Sequence, residues 1–370
     1  MEFIDLKKQQ EKIRLGLDSR IKKILDEGRY ILGEEVKSLE SELSLFSKSK
    51  YSITCANGTD ALMLALMALD IGPGDGVITV PFTYIATLEA IAAVGATPVL
   101  VDVYDSTFNM NPDLIEDAIK KSDTKIKAIM PVDLFGLSAR YRMINDIAKK
   151  YNIKVIADSA QSFGASKNHQ KVGTFGDITT TSFFPAKPLG CYGDGGALFT
   201  NSEDIKNKLE SLRVHGKGVD KYDNIRIGMN SRLDTLQAGI LLEKISIFPK
   251  EIVQRNVIAE KYRSLLKGLP LKFQHIPEGY ESVYAQFSIV FEDKKTRDSI
   301  QKKLSEKKIP SVVYYGISGH LQTGYKYLNY QNGDFPCSED LSNTILSLPM
   351  HPYLLDNDLA KITDLIKSEL

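Results

Sequence analysis

Ser182-Phe183-Phe184-Pro185-Ala186-Lys187-Pro188-Leu189-Gly190-Cys191-Tyr192-Gly193-Asp194-Gly195-Gly196 sets one lysine between an apolar, β-prone run and a segment dense in glycine. Glycine at 190, 193, 195 and 196 disfavours helix or regular strand after Lys187. The lysine is therefore expected at a strand end, held by a tight loop. Such a lysine is partly desolvated and fixed in direction. Desolvation disfavours the ammonium, lowers the pKa and leaves a nucleophilic amine. That chemistry suits a Schiff base. A solvated loop lysine beside a turn is the competing reading, and for Lys187 taken alone it is the better one, because most lysines are solvated.

Working outward, strand-like apolar runs at 77–80, 97–101, 128–132, 154–157 and 179–183 alternate with helical patterns at 84–94, 111–119 and 141–151. A further strand is expected at 197–200. Helical patterns also occupy 18–31, 34–46 and 61–69, the last so apolar that it must be buried. Strands buried on both faces and separated by helices predict an α/β fold with a mostly parallel sheet between helix layers. Long helices are expected at 233–248 and 251–266. After them come a strand at 283–291, a helix at 296–307, a strand at 311–315 and a closing helix at 357–369. The 370 residues exceed one compact core. The expected division is a large domain with the N-terminal segment over 1–250 and a smaller α+β domain over 251–370.

Lysine plus arginine equals aspartate plus glutamate, 47 each, so no net charge suggests a nucleic-acid or membrane-surface partner. No apolar run reaches membrane-spanning length. Cys55, Cys191 and Cys337 are too scattered for a disulfide framework, and no secretory leader pattern opens the chain. A cytoplasmic location is the expectation. The five histidines, at 169, 215, 275, 320 and 351, lack metal-ligand spacing, so no metal is expected. The glycine signatures of dinucleotide, P-loop and hydrolase sites are absent.

Four further stretches carry chemistry. Asp158 ends the 154–157 strand, at the sheet edge where ligands bind in open α/β folds. Its carboxylate needs a cationic partner, such as a pyridinium nitrogen, or else it is a helix cap. Asn57-Gly58-Thr59-Asp60 opens a helix, where free N–H groups suit a phosphate or simply receive a cap. Pro81-Phe82-Thr83-Tyr84 offers Tyr84 to stack on a flat ring, or a core aromatic. Gly228-Met229-Asn230-Ser231-Arg232-Leu233-Asp234 presents Asn230 and Arg232 to an anion, or is plain surface polarity.

In this order the motifs resemble the DegT-type sugar aminotransferases, within the fold-type I pyridoxal phosphate enzymes. Matching segments include Tyr30-Ile31-Leu32-Gly33, Asn57 to Leu62, Pro81 to Tyr84, Asp158-Ser159-Ala160-Gln161, Ser182 to Lys187, Gly193 to Gly196, Gly228 to Arg232 with Asp234, and Ser347 to Pro352. The resemblance implies the fold-type I architecture and pyridoxal 5′-phosphate as cofactor. It makes Lys187 the Schiff-base lysine and proton carrier, and Asp158 the partner of the ring nitrogen. Gln161 would contact the ring hydroxyl and Tyr84 would stack on the ring. Gly58, Thr59 and Ser182 would hold the phosphate, with Asn230 reaching it from the other subunit of a homodimer with shared sites. Arg232, His215, Tyr314, His320 and Tyr30 form the expected substrate set. The implied amino donor is L-glutamate, leaving as 2-oxoglutarate. Relatives with histidine at the lysine position dehydrate sugars, so Lys187 favours aminotransfer.

The nearest resemblance is to enzymes that aminate a 3-keto UDP-N-acetyl sugar for lipopolysaccharide, lipid A or O-antigen. Two alternatives remain: a 4-keto nucleotide-sugar aminotransferase, and a non-catalytic regulatory protein that binds the cofactor. Uronate-acting relatives have His-Tyr-Pro where this chain has Tyr314-Tyr315-Gly316. Tyrosine offers no cation to a carboxylate, so the reading leans to the neutral sugar.

Overall fold

The structure is a computed structural model that describes residues 1–220 and 222–370. The chain opens with α1 (Leu6–Glu27), capped by Asp5, whose carboxylate accepts from the Lys8 N–H at 3.0 Å. It ends at Gly28, where φ is 67°. There follow α2 (Glu34–Ser47), β1 (Tyr51–Cys55), α3 (Gly58–Ala68), β2 (Asp75–Thr79), α4 (Ala86–Ala93), β3 (Thr97–Leu100), α5 (Ile115–Lys121), β4 (Lys125–Ile129), α6 (Tyr141–Tyr151) and β5 (Lys154–Asp158). The short β6 (Ser166–Lys167) and β7 (Gln170–Lys171) lead to β8 (Ile178–Ser182), β9 (Gly196–Thr200), α7 (Glu203–Leu212) and α8 (Thr235–Leu265). The remainder is β10 (Lys272–Phe273), β11 (Tyr280–Glu281), β12 (Phe287–Val290), α9 (Lys294–Glu306), α10 (Pro336–Thr344), β13 (Ile345–Leu348) and α11 (Asp356–Glu369).

The main sheet runs β1-β9-β8-β5-β4-β2-β3. Its pairings are parallel except those of β9, which is antiparallel to both β1 and β8. Successive strand residues go to opposite faces. Val77, Ala128 and Ile156 join a buried cluster with α3, α4 and α7, while Ile78, Ile129, Val155 and Ala157 join another with α6. Each face is covered by helix, which explains the near-continuous apolar runs. The carboxyl ends of β1, β5 and β8 share one sheet edge, and there Asn57, Asp158 and Ser182 stand.

Several elements depart from the sequence expectation. α8 is one helix with Pro249 inside it, where a break was expected. Its first half packs Leu241, Ile245 and Phe248 under the main sheet, and its second half packs Ile258 and Tyr262 with β12, β13 and α11. Tertiary packing on both halves outweighs one lost backbone donor. We propose that the division into two units falls within this helix. The 311–315 strand reduces to a single bridge, Val312 with Ser347. The first helix begins at Leu6 rather than 18, and β1, α7, α10 and β13 are additions.

Candidate active site

The turn between β1 and α3 is shaped for an anion. The Asn57 side chain accepts from the Asp60 N–H at 2.8 Å. Among the described residues, the Gly58 and Thr59 N–H groups meet no acceptor. A Cβ on Gly58 would lie 2.7 Å from Ser182 Cβ, so glycine is what lets this helix start approach the end of β8. Ser182 Oγ accepts from the Phe184 N–H at 3.2 Å, which leaves its own O–H to donate. Ser231 Oγ accepts from the Ala56 N–H at 3.2 Å and ties the 228–232 segment to the same turn.

Lys187 follows β8 in a tightly curled loop. Its N–H donates to the Phe184 carbonyl at 2.8 Å, and a Cβ on Gly190 would lie 2.5 Å from the Pro185 carbonyl oxygen. α8 grips the same loop. Lys244 Nζ, fully buried, donates to the Gly190 carbonyl at 2.6 Å. Gln237 accepts from the Tyr192 N–H at 2.9 Å and donates to its carbonyl at 3.1 Å. Burial pushes the Lys187 amine down to about 8, partly opposed by the negative charge of Asp158.

Asp158 is 5 % exposed. It accepts from Thr87 Oγ1 at 2.8 Å and from the Ala160 N–H at 3.3 Å. Burial raises its carboxyl above the ordinary range, while those two bonds and the charge of Lys187 act the other way. A buried acid and a half-buried amine thus lie close enough to feel each other's charge, while burial shifts each toward its neutral form.

Gln161 Oε1 accepts from the Phe135 N–H at 2.8 Å, and its Nε2 donates to Tyr315 Oη at 2.9 Å. The Tyr315 ring lies 6.1 Å from that of Tyr84, which is 56 % exposed at the mouth of the site. Tyr315 was missed from the sequence, which singled out Tyr314. Tyr314 instead sets its ring edge-on to Phe3 at 6.3 Å. The two tyrosines sit together in a turn with ring centroids 5.5 Å apart, and only the contact with Gln161 distinguishes them.

Asn230 and His215 are exposed and lie on paired segments, with the His215 N–H donating to the Met229 carbonyl at 2.8 Å. Arg232 is half-buried and Tyr30 half-exposed. Among the described residues, these four side chains make no hydrogen bond or ion pair with Lys187, Asp158 or Gln161 of their own chain. His320 was also expected to contact the sugar. It is buried, with Nδ1 at 3.0 Å from Ser318 Oγ and Nε2 at 3.0 Å from Glu339 Oε1. Both ring nitrogens are occupied, so it braces its loop.

Among the described residues, no cluster of His, Cys, Asp and Glu could hold a metal ion, and no helix is long and apolar enough to cross a membrane. The DegT/DnrJ/EryC1/StrS aminotransferase family model matches residues 12–367. The chain belongs to this family. Among its relatives is the UDP-2-acetamido-2-deoxy-3-oxo-D-glucuronate aminotransferase of Pseudomonas aeruginosa, 45% identical over 96% of both chains. The UDP-N-acetyl-3-dehydro-alpha-D-glucosamine 3-aminotransferase of Acidithiobacillus ferrooxidans is 41% identical, over 100% of this chain and 97% of the relative. A DegT DnrJ EryC1 StrS aminotransferase from Brucella abortus superposes with a TM-score of 0.95 at 47% identity, covering 100% of this chain and 99% of the other. The ntda protein of Bacillus subtilis, solved with bound cofactor PMP, gives 0.89 at 30% identity, over 99% and 83%. The sheet between helix layers is the α/β arrangement the alternating pattern predicted, and the DegT-family fold is the one the resemblance implied.

Proposed function

We propose that this DegT-family protein is a pyridoxal phosphate-dependent aminotransferase that carries an amino group from L-glutamate to C3 of a UDP-linked 3-keto N-acetyl sugar. The observation that carries the reading is the electrostatic interaction of Lys187 with Asp158 at the sheet edge that also carries the open N–H groups of α3. These residues fit the cofactor. Gly58, Thr59 and Ser182 would hold its phosphate, Asp158 its ring nitrogen, Gln161 its ring hydroxyl and Tyr84 its ring face. Pyridoxal phosphate supplies a carbonyl carbon for amines and an electron sink for the pair left when Cα loses a proton. Lys187 takes that proton and later returns one to the sugar carbon. Asp158 holds the ring-nitrogen proton. Thr87 and the Ala160 N–H keep the carboxylate aimed. The α8 grip through Lys244 and Gln237 keeps Lys187 from swinging out.

The protein acts as a homodimer in the cytoplasm, with Asn230 of one subunit reaching the phosphate bound by the other. The exposed side chains of Val219, Ile225 and Ile227 support this, because they carry apolar surface on the loop just before Asn230. Its three free cysteines fit a reducing compartment.

The neutral sugar is favoured by Tyr314, which presents no cation. The uronate is a second reading, favoured by Arg232, which has no ion-pair partner among the described residues. The test is kcat/KM with UDP-linked 3-keto N-acetylglucosamine and with its uronate, in the wild type and in Arg232→Ala. Preference for the neutral sugar, insensitive to Arg232→Ala, supports the first reading. Preference for the uronate, abolished by Arg232→Ala, establishes the second. Turnover of neither sinks the 3-keto assignment.

A further inference from the structure

Asp133 has no part in the chemistry above, yet it is wholly buried. Its N–H donates to the Asp158 carbonyl at 2.9 Å. Its Oδ2 accepts from Ser159 Oγ at 2.7 Å and from Ser162 Oγ at 2.9 Å. Its Oδ1 accepts from the Ala139 N–H at 2.7 Å and from Tyr141 Oη at 2.9 Å. All four donors are neutral. Burying a carboxylate among neutral partners is costly, and here burial lifts the acid to about 6 despite the four bonds.

The sequence positions of the serines give the arrangement meaning. Ser159 follows Asp158 and Ser162 follows Gln161. Both serine hydroxyls converge on one oxygen, so the 158–162 turn is pinned from behind at two points. Asp158 and Gln161 each immediately precede one of those pins and are the residues that the aminotransferase reading sets toward the cofactor. The other oxygen anchors the carboxylate to the start of α6, where the Tyr141 ring stacks on Phe175 with centroids 4.5 Å apart. The Phe135 N–H, two residues past Asp133, meets Gln161 Oε1. One loop therefore holds the turn from below and Gln161 from the side.

We propose that Asp133 is a positioning residue for Asp158 and Gln161, fixing the turn that aims both at the cofactor ring. This rests on the aminotransferase reading. Simple scaffolding would lower stability without selective effect on the cofactor. Positioning changes how the cofactor is held in protein that remains folded.

The test uses the full chain with Asp133→Ala, with Ser159→Ala and Ser162→Ala together, and with Asp133→Asn. Each is titrated with pyridoxal phosphate by absorbance, assayed for kcat and KM with glutamate, and melted without cofactor. Losing these ties is expected to weaken cofactor binding about tenfold or more and shift its absorbance maximum, in Asp133→Ala and in the serine pair. Asp133→Asn can accept from Ala139 and Tyr141 through its oxygen and donate to the serines through its amide. It is expected to recover binding to within about threefold of wild type. If Asp133→Ala does not fold, the serine pair decides. Wild-type affinity and absorbance in a folded tie-less variant overturn the proposal. So does an asparagine variant as weak as alanine, which would assign the effect to charge. Wild-type protein that takes up no pyridoxal phosphate overturns the aminotransferase reading itself, and this inference with it.

Discussion

Replacing Gly58 by alanine puts a methyl group where two backbones meet. The new Cβ would lie 2.7 Å from Ser182 Cβ and 3.1 Å from Ser182 Oγ. Carbon atoms pack best at about 3.5–4.0 Å, so the start of α3 must retreat from β8 by roughly 1 Å. Neither side yields easily. Ser182 is paired to Gly196 of β9, and Asn57 caps the helix through Asp60. For folding, overpacking costs about 1–3 kcal/mol, partly offset by the roughly 1 kcal/mol helix preference of alanine over glycine. Cofactor binding suffers separately. A shift of that size takes an N–H out of reach of the phosphate, and a hydrogen bond to a charged group is worth about 1.5–3 kcal/mol. The dissociation constant for pyridoxal phosphate should therefore rise about ten- to a hundredfold. Absorbance titration with pyridoxal phosphate and with pyridoxal, which lacks the phosphate, isolates the effect. The ester should weaken and pyridoxal should not. Equal losses for the two, or none, would refute the phosphate assignment of this turn.

Three further outcomes follow from the same geometry. The rate at which the cofactor-free protein captures pyridoxal phosphate should climb about tenfold per pH unit up to about 8 and then flatten, because only the neutral Lys187 amine attacks; a stopped-flow profile flat from pH 6 upward would contradict it. Subunits carrying Lys187→Ala and Asn230→Ala, each inactive alone, should regain activity on mixing, since one site in the mixed dimer carries neither lesion; no recovery despite exchange counts against shared sites. Asp133 has a folded-state acid at about 6 against an ordinary value of 3.8, so its contribution to stability is fully present below 3.8 and lost as pH rises through about 6. Asp133→Asn should then gain about 2.5 kcal/mol on wild type between pH 4 and 7 in urea melts, and an unchanging difference would show that Asp133 does not titrate there.

The sheet, and the loop and strand end that carry Lys187 and Asp158, were legible because their signals are local. Lys187 is framed by Pro185, Pro188 and Gly190 within a few residues, and Asp158 closes an apolar run. What stayed hidden depends on distant partners. Pro249 reads as a helix stop, and only contacts on both halves of α8 keep the helix whole. Tyr314 and Tyr315 look alike until the Gln161 amide selects Tyr315. His320 looks free until Ser318 and Glu339 take its two nitrogens. Asp133 gains its place from donors up to 29 positions away, which no period or motif encodes.

The central claim, amination at C3 with the cofactor on Lys187, is tested most directly by following the nitrogen. The protein is incubated with pyridoxal phosphate, isotopically labelled L-glutamate and, in turn, the two UDP-linked 3-keto N-acetyl sugars and a 4-keto counterpart, and the product is read by NMR. Label bonded to C3 of the sugar, absent with Lys187→Ala, is the predicted result. Label at C4 from a 4-keto sugar with none at C3, or unaltered product formation by Lys187→Ala, would contradict the account.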